Sequence, residues 1–307
     1  MAATASQVIQ TLTNYASGLA QDRMSAVAEF LAPTVPVGNA TGFYKQFNEK
    51  NAFQKVDTAR AIGGPAKRLE FQATDATYNC TPQALEIAID DQERDLSGEG
   101  DPLGIERAKV DTLLSTAAVS HEDKVLTAVK AAITAVGSRG VWSDLATNDP
   151  VKELDEQIKA IAVETGKLPN RIVFGIGAWF YFRNHAKTHA RMPGAAAINV
   201  SLGAVAAMLL NPSIEIKVGV LSTDIAKTGA TKSAANIVGD EVFIFHANHG
   251  PTLYDPSFMK TFRTRRGGVQ AVRIYRDDKS RSDIVALDWS EDVELVSANC
   301  ARRLTIT

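Results

Sequence analysis

The sequence predicts an α+β fold, because its helical and strand patterns occupy separate stretches instead of alternating along the chain. Residues 101–136 carry a single apolar stripe at helical spacing, which predicts one helix of about 36 residues and roughly 54 Å. Apolar, β-branched runs at 271–275, 284–289 and 293–296 predict a late antiparallel sheet. A mixed unit of helices and strands lies between the two.

The middle of the chain has the clearest element boundaries. Asp149 and Pro150 predict a helix start, because aspartate caps helix N-termini and proline fits the first helical position. Gly166 predicts the end of that helix, since glycine adopts the left-handed conformation at little steric cost. Residues 171–176 then predict a buried strand, and residues 177–190 predict a second helix.

The N-terminal residues 1–42 predict an arm rather than a packed element. Their helical periodicity is weak, and Pro33, Pro36, Gly38 and Gly42 are expected to interrupt regular structure. Because such a segment rarely buries itself, we expect it to lie on a neighbouring subunit.

Residues 43–80 predict a long two-stranded ribbon. Aromatic and charged residues alternate from Phe43 to Lys55, residues 63–65 predict a turn, and residues 67–71 run back. An isolated two-stranded ribbon is marginally stable in water, so we expect this one to pack on another surface.

Shorter patterns complete the prediction of the remaining elements. Strict alternation at 83–90 and apolar runs at 214–221 and 242–245 predict strands. Small and polar residues at 223–235 predict an exposed loop, and residues 277–281 predict a hairpin tip.

The composition is that of an ordinary globular protein. The chain has 307 residues, of which 45% are hydrophobic and 22% charged, and its net charge is −2, so it is not a polycation built to bind nucleic acid. Its two cysteines are far apart in sequence and predict free thiols in a reducing compartment. We expect a cytosolic product, because the N-terminus lacks a signal-peptide pattern and no apolar run is long enough to span a bilayer.

One glycine motif superficially suggests dinucleotide binding. Gly175 and Gly177 follow a predicted strand and open a helix, but Phe180 occupies the third glycine position. A phenylalanine there blocks close packing of helix on strand, so the motif does not predict a nucleotide site.

Two groups of histidines invite a metal interpretation. His185 and His189 are four residues apart, as in a zinc protease, but an alanine replaces the required glutamate, so we expect partly exposed helix histidines. His246, His249 and Asp255 form a looser group that leaves a metal-dependent enzyme open as an alternative.

Arginines form the only dense basic cluster of the sequence. Two interpretations are open: a patch facing phosphates, or arginines that pair with carboxylates across a subunit contact. The net charge of −2 favours the second interpretation. The cluster contains Arg263, Arg265, Arg266, Arg273 and Arg276.

The order of these elements resembles the major capsid proteins of tailed bacteriophages, whose Hong Kong 97-like fold is shared by encapsulins. The most specific likeness is W-S-D, N-D-P-V-x-x-L-D, T-G-K-x-P-N-R-I-V-F-G and A-W, within residues 142–179. The resemblance implies six segments. They are an N-terminal arm (1–42), an extended loop (43–80), a peripheral domain with a spine helix (81–140), an axial domain (141–251), peripheral strands (252–292) and a C-terminal strand returning to the axial domain (293–307).

The resemblance implies a structural protein that self-assembles into hexamers and pentamers of an icosahedral shell around double-stranded DNA. It implies no catalytic residues and no cofactor. Its implied partners are other copies of the chain, scaffolding, portal and decoration proteins, and packaged DNA held by non-specific contact, with no membrane. The implied location is the virion, assembled in the cytoplasm of a host bacterium. An encapsulin-like nanocompartment shell is the alternative within the same fold.

The same resemblance makes the ribbon and the arginine cluster candidate contacts between subunits. The candidate residues are Phe43, Tyr44, Lys45, Phe47, Phe53, Lys55, Arg60, Lys67, Arg68, Arg263, Arg265 and Arg266.

Overall fold

The computed structural model describes most of the chain. The described residues are 27–46, 58–60, 62–64, 74–96, 104–136, 141–145, 147–192, 200–227, 231, 233–248, 250, 252–265 and 271–306. The helices are α1 (Ala28–Leu31), α2 (Asp91–Leu96), α3 (Gly104–Ala132), α4 (Pro150–Thr165), α5 (Ile176–Asn184), α6 (Ala186–Arg191) and α7 (Leu202–Met208), with a 3₁₀ turn at Ala298–Cys300.

The strands fall into two larger sheets and two hairpins. They are β1 (Thr34–Val37), β2 (Thr41–Gln46), β3 (Thr74–Asn79), β4 (Thr81–Asp90), β5 (Ala135–Val136), β6 (Arg171–Gly175), β7 (Glu215–Gly219), β8 (Ser222–Asp224), β9 (Ala234–Asn236), β10 (Glu241–Phe245), β11 (Met259–Thr264), β12 (Ala271–Asp277), β13 (Ser282–Leu295) and β14 (Ala301–Thr305).

The first sheet is built around the long strand β13. This strand pairs with β12, β11 and β4, all antiparallel, and β1 adds to β11 in parallel. The late antiparallel sheet predicted from the sequence is therefore present, although the runs at 284–289 and 293–296 belong to one continuous strand. The alternating strand predicted at 83–90 is β4.

The second sheet has the order β5-β14-β10-β6-β7 and is covered on both faces. Alternate residues of its strands point to opposite sides: Phe174 and Val242 face a core formed with α4, α5 and α7. Val173 and Phe243 face a second core, formed with α3 and residues 27–32. Strand β6 is buried along its whole length, as its uninterrupted apolar sequence predicts.

Helix α3 connects the two sheets. Its 29 residues span about 43 Å. Val110 and Leu114 pack in the core of the first sheet, whereas Val125 and Val129 pack in the core of the second. The predicted long helix is thus confirmed. It ends before residue 136, because Ala135 and Val136 pair in parallel with β14.

The prediction that residues 1–42 form an arm is wrong for residues 27–37. Val27, Phe30 and Leu31 are buried in the core beneath the second sheet, and β1 extends the first sheet. Pro36 does not prevent this strand, because β1 lies at the sheet edge, where a missing N–H breaks no ladder bond. Residues 1–26 of the expected arm lie outside the described residues.

The predicted boundaries of α4 are confirmed. The Asp149 carboxylate accepts a hydrogen bond from the Lys152 N–H (3.2 Å), Pro150 is the first helical residue, and Gly166 ends the helix at φ 64°. Both signals depend only on neighbouring residues, so they could be predicted from the sequence.

The helix predicted at 177–190 is two short helices that meet at His185. This histidine is buried, not partly exposed as the sequence analysis expected. Its Nδ1 accepts a hydrogen bond from the Lys187 N–H (3.2 Å) and caps α6, while Nε2 lies 3.2 Å from the Asp144 carbonyl oxygen. Burial lowers the pKa of His185, which favours the neutral ring that both contacts use.

Two more of the predicted strands and the predicted free thiols are present. Strands β7 and β10 lie where 214–221 and 242–245 predict them, and a short hairpin, β8–β9, lies within the expected loop. Cys80 and Cys300 are buried free thiols. No helix among the described residues is both long and apolar enough to cross a membrane.

Candidate functional site

The described part of the ribbon is a two-stranded antiparallel pair. Strands β2 and β3 pair from Thr41 opposite Asn79 to Gln46 opposite Thr74. The two ends of the predicted ribbon are thus paired, whereas the return predicted at 67–71 lies outside the described residues. The residues between, apart from 58–60 and 62–64, lie outside the described residues.

One face of the ribbon is fastened to the first sheet. The Tyr44 and Tyr78 rings pack on Phe262, with ring centroids 5.3 and 4.6 Å from it. The Tyr44 hydroxyl lies 3.2 Å from Glu294 Oε2 and 3.1 Å from the Leu295 carbonyl oxygen, and these two acceptors share its single proton. Burial, and then the Glu294 charge, raise the pKa of Tyr44, so the phenol stays protonated and remains a donor.

The prediction that Tyr44 contacts a neighbouring subunit is therefore wrong. Its side chain is 3% exposed, because the chain covers it with its own sheet. A neighbouring subunit cannot reach it.

The other face of the ribbon points to solvent. Phe43 is 69% exposed. Lys45 is ion-paired with Asp75 on the paired strand, and Arg60 is exposed. Adjacent strand residues point to opposite faces, so the inward Tyr44 requires an outward Phe43. The remaining ribbon candidates, Phe47, Phe53, Lys55, Lys67 and Arg68, lie outside the described residues.

The described arginines of the cluster mostly pair with carboxylates of the same chain. Arg263 is 4% exposed and lies 2.8 Å from Glu291 (Nη2 to Oε2). Arg273 pairs with Asp288. Arg276 Nη1 lies 2.6 Å from Asp91 Oδ1.

Pairing with carboxylates was the favoured interpretation, and the structure shows it, but the partners are in the same chain. The prediction that Arg263 contacts a neighbouring subunit is therefore also wrong, because its guanidinium is enclosed between β11, β13 and α3. Arg265 is exposed at the end of β11 and stays a candidate, and Arg266 lies outside the described residues.

The groups expected for a metal-dependent enzyme have other contacts. Asp255 Oδ1 lies 2.8 Å from the buried Lys260 Nζ, and its Oδ2 accepts a hydrogen bond from Asn248 (3.0 Å). His246 Nδ1 lies 3.1 Å from the Leu168 carbonyl oxygen. In the described part of the chain, no group of three or more His, Cys, Asp or Glu is placed to hold a metal. His249 lies outside that part.

The glycines of the apparent nucleotide motif are required by packing. A Cβ at position 175 would overlap the Gly239 carbonyl oxygen, and one at position 177 would overlap the Asp240 carboxylate. Both glycines therefore allow the end of β6 and the start of α5 to approach the turn before β10.

Sequence reasoning missed several exposed apolar side chains around the second sheet. Ile176, Phe180 and Val220 lie at one end of its strands, and Leu168 and Tyr254 lie near the other end. The spacing of Ile176 and Phe180, four residues apart on one helix, was the available signal.

Neither a protein-family model nor a curated protein sequence matches the chain. Similar solved structures do exist. The crystal structure of a phage-related protein from Bordetella bronchiseptica RB50 is 22% identical, with a TM-score of 0.73 over 97% of this chain and 96% of that one.

Two further structures extend the likeness to proteins with described roles. The putative capsid protein of a prophage of E. coli CFT073 is 11% identical, with a TM-score of 0.55 over 97% of this chain and 99% of that one. The SrpI encapsulin of Synechococcus elongatus PCC 7942 is 11% identical, with a TM-score of 0.53 over 92% of this chain and 86% of that one. The chain thus has the Hong Kong 97-like fold of phage capsid proteins and encapsulins, as the resemblance implied.

Proposed function

We propose that this chain is the structural subunit of a phage-type capsid, which self-assembles into the hexamers and pentamers of an icosahedral shell. The observation that carries the proposal is a fold shared along almost the whole chain with capsid proteins and encapsulins. The exposed surface of this chain adds a second line of support.

The ribbon supports a role in assembly. Its inner face is fixed by Tyr44 and Tyr78, whereas its outer face presents Phe43 at 69% exposure, and Ile62 is fully exposed further along the excursion. Large apolar side chains on a projecting element are stabilised when a partner covers them. In a closed assembly of identical subunits, such contacts repeat and add up.

In this proposal the segments have the roles that the resemblance implies, with one change. Residues 1–26 form the arm and residues 43–80 the extended loop. The first sheet and α3 form the peripheral domain, and the second sheet forms the axial domain. Residues 27–37 belong to the folded body, because the chain buries them itself.

The proposed content of the shell is double-stranded DNA held by non-specific contact. A net charge of −2 fits a wall that does not bind DNA tightly. Scaffolding, portal and decoration proteins are the further proposed partners, and the virion, assembled in a bacterial cytoplasm, is the proposed location.

An encapsulin-like nanocompartment is the second candidate, favoured by the likeness to the SrpI encapsulin at a TM-score close to that of the prophage capsid protein. The two candidates differ in what the shell holds. Particles purified from cells that also express the neighbouring genes test this difference: packaged DNA supports the capsid, and a co-purified cargo enzyme supports the nanocompartment.

Assembly itself is tested by negative-stain electron microscopy of the purified full-length protein, alone and co-expressed with a scaffolding protein. The proposal predicts closed particles of uniform diameter. A protein that remains monomeric at high concentration under all these conditions overturns it.

A further inference from the structure

We propose that Glu122 of α3 is a proton-controlled latch, which holds residues 27–31 against α3 while its carboxyl is protonated and loosens them when it ionises. Residues 27–31 are the point at which the N-terminal residues 1–26 join the folded body. The inference concerns the folded subunit, so it does not rest on the proposed function.

Glu122 is buried between α3 and the start of α1. It is 2% exposed. Val125 and Leu126, three and four residues later, share its face of α3. Both belong to the core that also contains Val27 and Ala28. The carboxyl therefore lies within this core, away from solvent.

The two carboxyl oxygens of Glu122 are unequally satisfied. The Ala28 N–H donates to Oε2 (3.3 Å), whereas Oε1 is buried without a hydrogen-bond partner. Val27 is the N-cap of α1 and has no side-chain acceptor, so Glu122 supplies an acceptor for the first turn of this helix. A carboxylate that leaves one buried oxygen unpaired is costly, and a neutral carboxyl is much less so.

The cations nearest the start of α1 are directed at other groups. Lys217 Nζ of β7 and the Arg171 guanidinium of β6 lie over the Phe30 ring, at 4.9 and 4.6 Å from its centroid. Arg171 Nε also lies 3.7 Å from Glu215 Oε2. Among the described residues, no cation lies within ion-pair distance of the Glu122 carboxylate.

The titratable groups on the two helices have partners of their own. Glu29 of α1 accepts hydrogen bonds from the Thr34 N–H (2.8 Å) and hydroxyl (2.6 Å). On α3, His121 Nδ1 lies 3.1 Å from Glu291 Oε2. Neither group supplies the positive charge that an ionised Glu122 would need.

These surroundings favour the neutral carboxyl. Burial raises the pKa of Glu122 above its ordinary value of 4.5, and the N–H groups of Ala28 and Val27 and the charge of Lys217 oppose this only in part. For a carboxyl with a raised folded-state pKa, the contribution to stability is complete below the unfolded pKa. It is lost as the pH rises through the folded pKa.

Ionisation should loosen residues 27–31 rather than α3. Helix α3 has 29 residues and packs on both sheets, whereas α1 has four. Local openings occur where few contacts have to break. Movement of residues 27–28 away from α3 would let water reach the carboxylate while both sheets stay folded.

Amide hydrogen exchange of the full-length protein, followed by mass spectrometry and corrected for the intrinsic exchange rate at each pH, tests the latch. As the pH rises above about 4.5, protection of residues 27–32 should fall by up to about tenfold per pH unit and then level off, because opening releases one proton. Strand β6 packs on the same core and should keep its protection.

Three full-length variants sharpen the test. Glu122→Gln and Glu122→Leu have no proton to lose at this position, so the protection of residues 27–32 should not change across the same pH range. Asp123→Asn is the matched control: it removes the next carboxyl of α3, which is exposed, and should keep the pH dependence of the unmodified protein.

Two results would overturn the inference. One is protection of residues 27–32 in the unmodified protein that stays constant with pH, or that falls equally in β6. The other is an unchanged pH dependence in the folded Glu122 variants. The first result needs no substitution, so the inference can fail even if neither Glu122 variant folds.

Discussion

The Arg263 guanidinium lies 2.8 Å from the Glu291 carboxylate, and the two side chains are only 5% and 2% exposed. His121 of α3 completes the group, with Nδ1 3.1 Å from Glu291 Oε2. These residues come from β11, β13 and α3, so one buried charged cluster fixes the long helix against the first sheet. The sequence suggested a surface arginine patch at this place.

Removing one member of this buried pair should strongly destabilise the fold. We expect Arg263→Ala to lower the free energy of unfolding by about 3–5 kcal/mol, because Glu291 would keep a buried charge without its main partner. Urea unfolding followed by circular dichroism measures this. Arg273→Ala, which breaks the exposed pair with Asp288, is the matched control and should leave the free energy of unfolding almost unchanged. Equal losses in both variants would contradict the assignment of a buried structural pair.

The same cluster predicts a pH dependence of stability. Burial alone would raise the pKa of Glu291, but its hydrogen bond with His121 and the nearby positive charges lower it to about 2 from an ordinary value of 4.5. A carboxyl with a lowered folded-state pKa stabilises the protein fully above its unfolded pKa. That stability, about 3 kcal/mol at this shift, is lost as the pH falls from about 4.5 to about 2.

The measurement is the free energy of unfolding across that pH window for the unmodified protein and for Glu291→Gln. We expect the unmodified protein to lose stability more steeply than the variant, which has no proton to gain at position 291. Parallel pH profiles would show that the pKa of Glu291 is the same in the folded and unfolded states, which contradicts the lowered pKa.

The local signals in the sequence were sufficient for the boundaries of α4. Asp149 and Gly166 each act through neighbouring backbone groups, so their roles could be predicted without a fold. The alternation of aromatic and charged residues from Phe43 to Lys55 predicted a two-stranded ribbon. It did not predict which face is covered, because that depends on Phe262, more than two hundred residues away in the sequence.

Arg263 and Pro36 were misassigned because their environments depend on distant parts of the chain. Arg263 is buried because Glu291 and His121 meet it, and no local pattern reveals either contact. Pro36 is tolerated because β1 lies at a sheet edge, which only the strand order decides. The exposed apolar side chains at the end of β6 are only partly local: Ile176 and Phe180 are four residues apart on one helix, but the nearness of Val220 depends on the pairing of β6 with β7.

The glycines at the end of β6 provide a test of their packing role. Gly175→Ala should destabilise the protein by about 1–3 kcal/mol, because the new Cβ would overlap the Gly239 carbonyl oxygen and the backbone would have to shift. Gly203→Ala is the matched control: it lies in α7 with open space at its Cβ and should be neutral or stabilising by up to about 1 kcal/mol. Thermal unfolding compares the two, and an unaffected Gly175→Ala protein would contradict the close approach.

The two faces of the ribbon should respond differently to substitution. Phe43→Thr keeps a strand-forming residue and is expected to change the free energy of unfolding by less than about 0.5 kcal/mol while preventing particle formation. Tyr44→Ala should instead cost about 3 kcal/mol of fold stability, because it empties the contact with Phe262. Unfolding curves and electron microscopy of both variants separate these effects. Normal particles from Phe43→Thr would exclude the outer face as an essential contact.

The most direct test of the central claim is electron microscopy of the purified full-length protein under assembly conditions, with sedimentation velocity on the same sample. We expect closed, uniform shells whose averages show five-fold and six-fold clusters of subunits, together with loss of the 33.0 kDa monomer as concentration rises. A single monomer peak at every concentration, with no particles in the images and none on co-expression with a scaffolding protein, would contradict it.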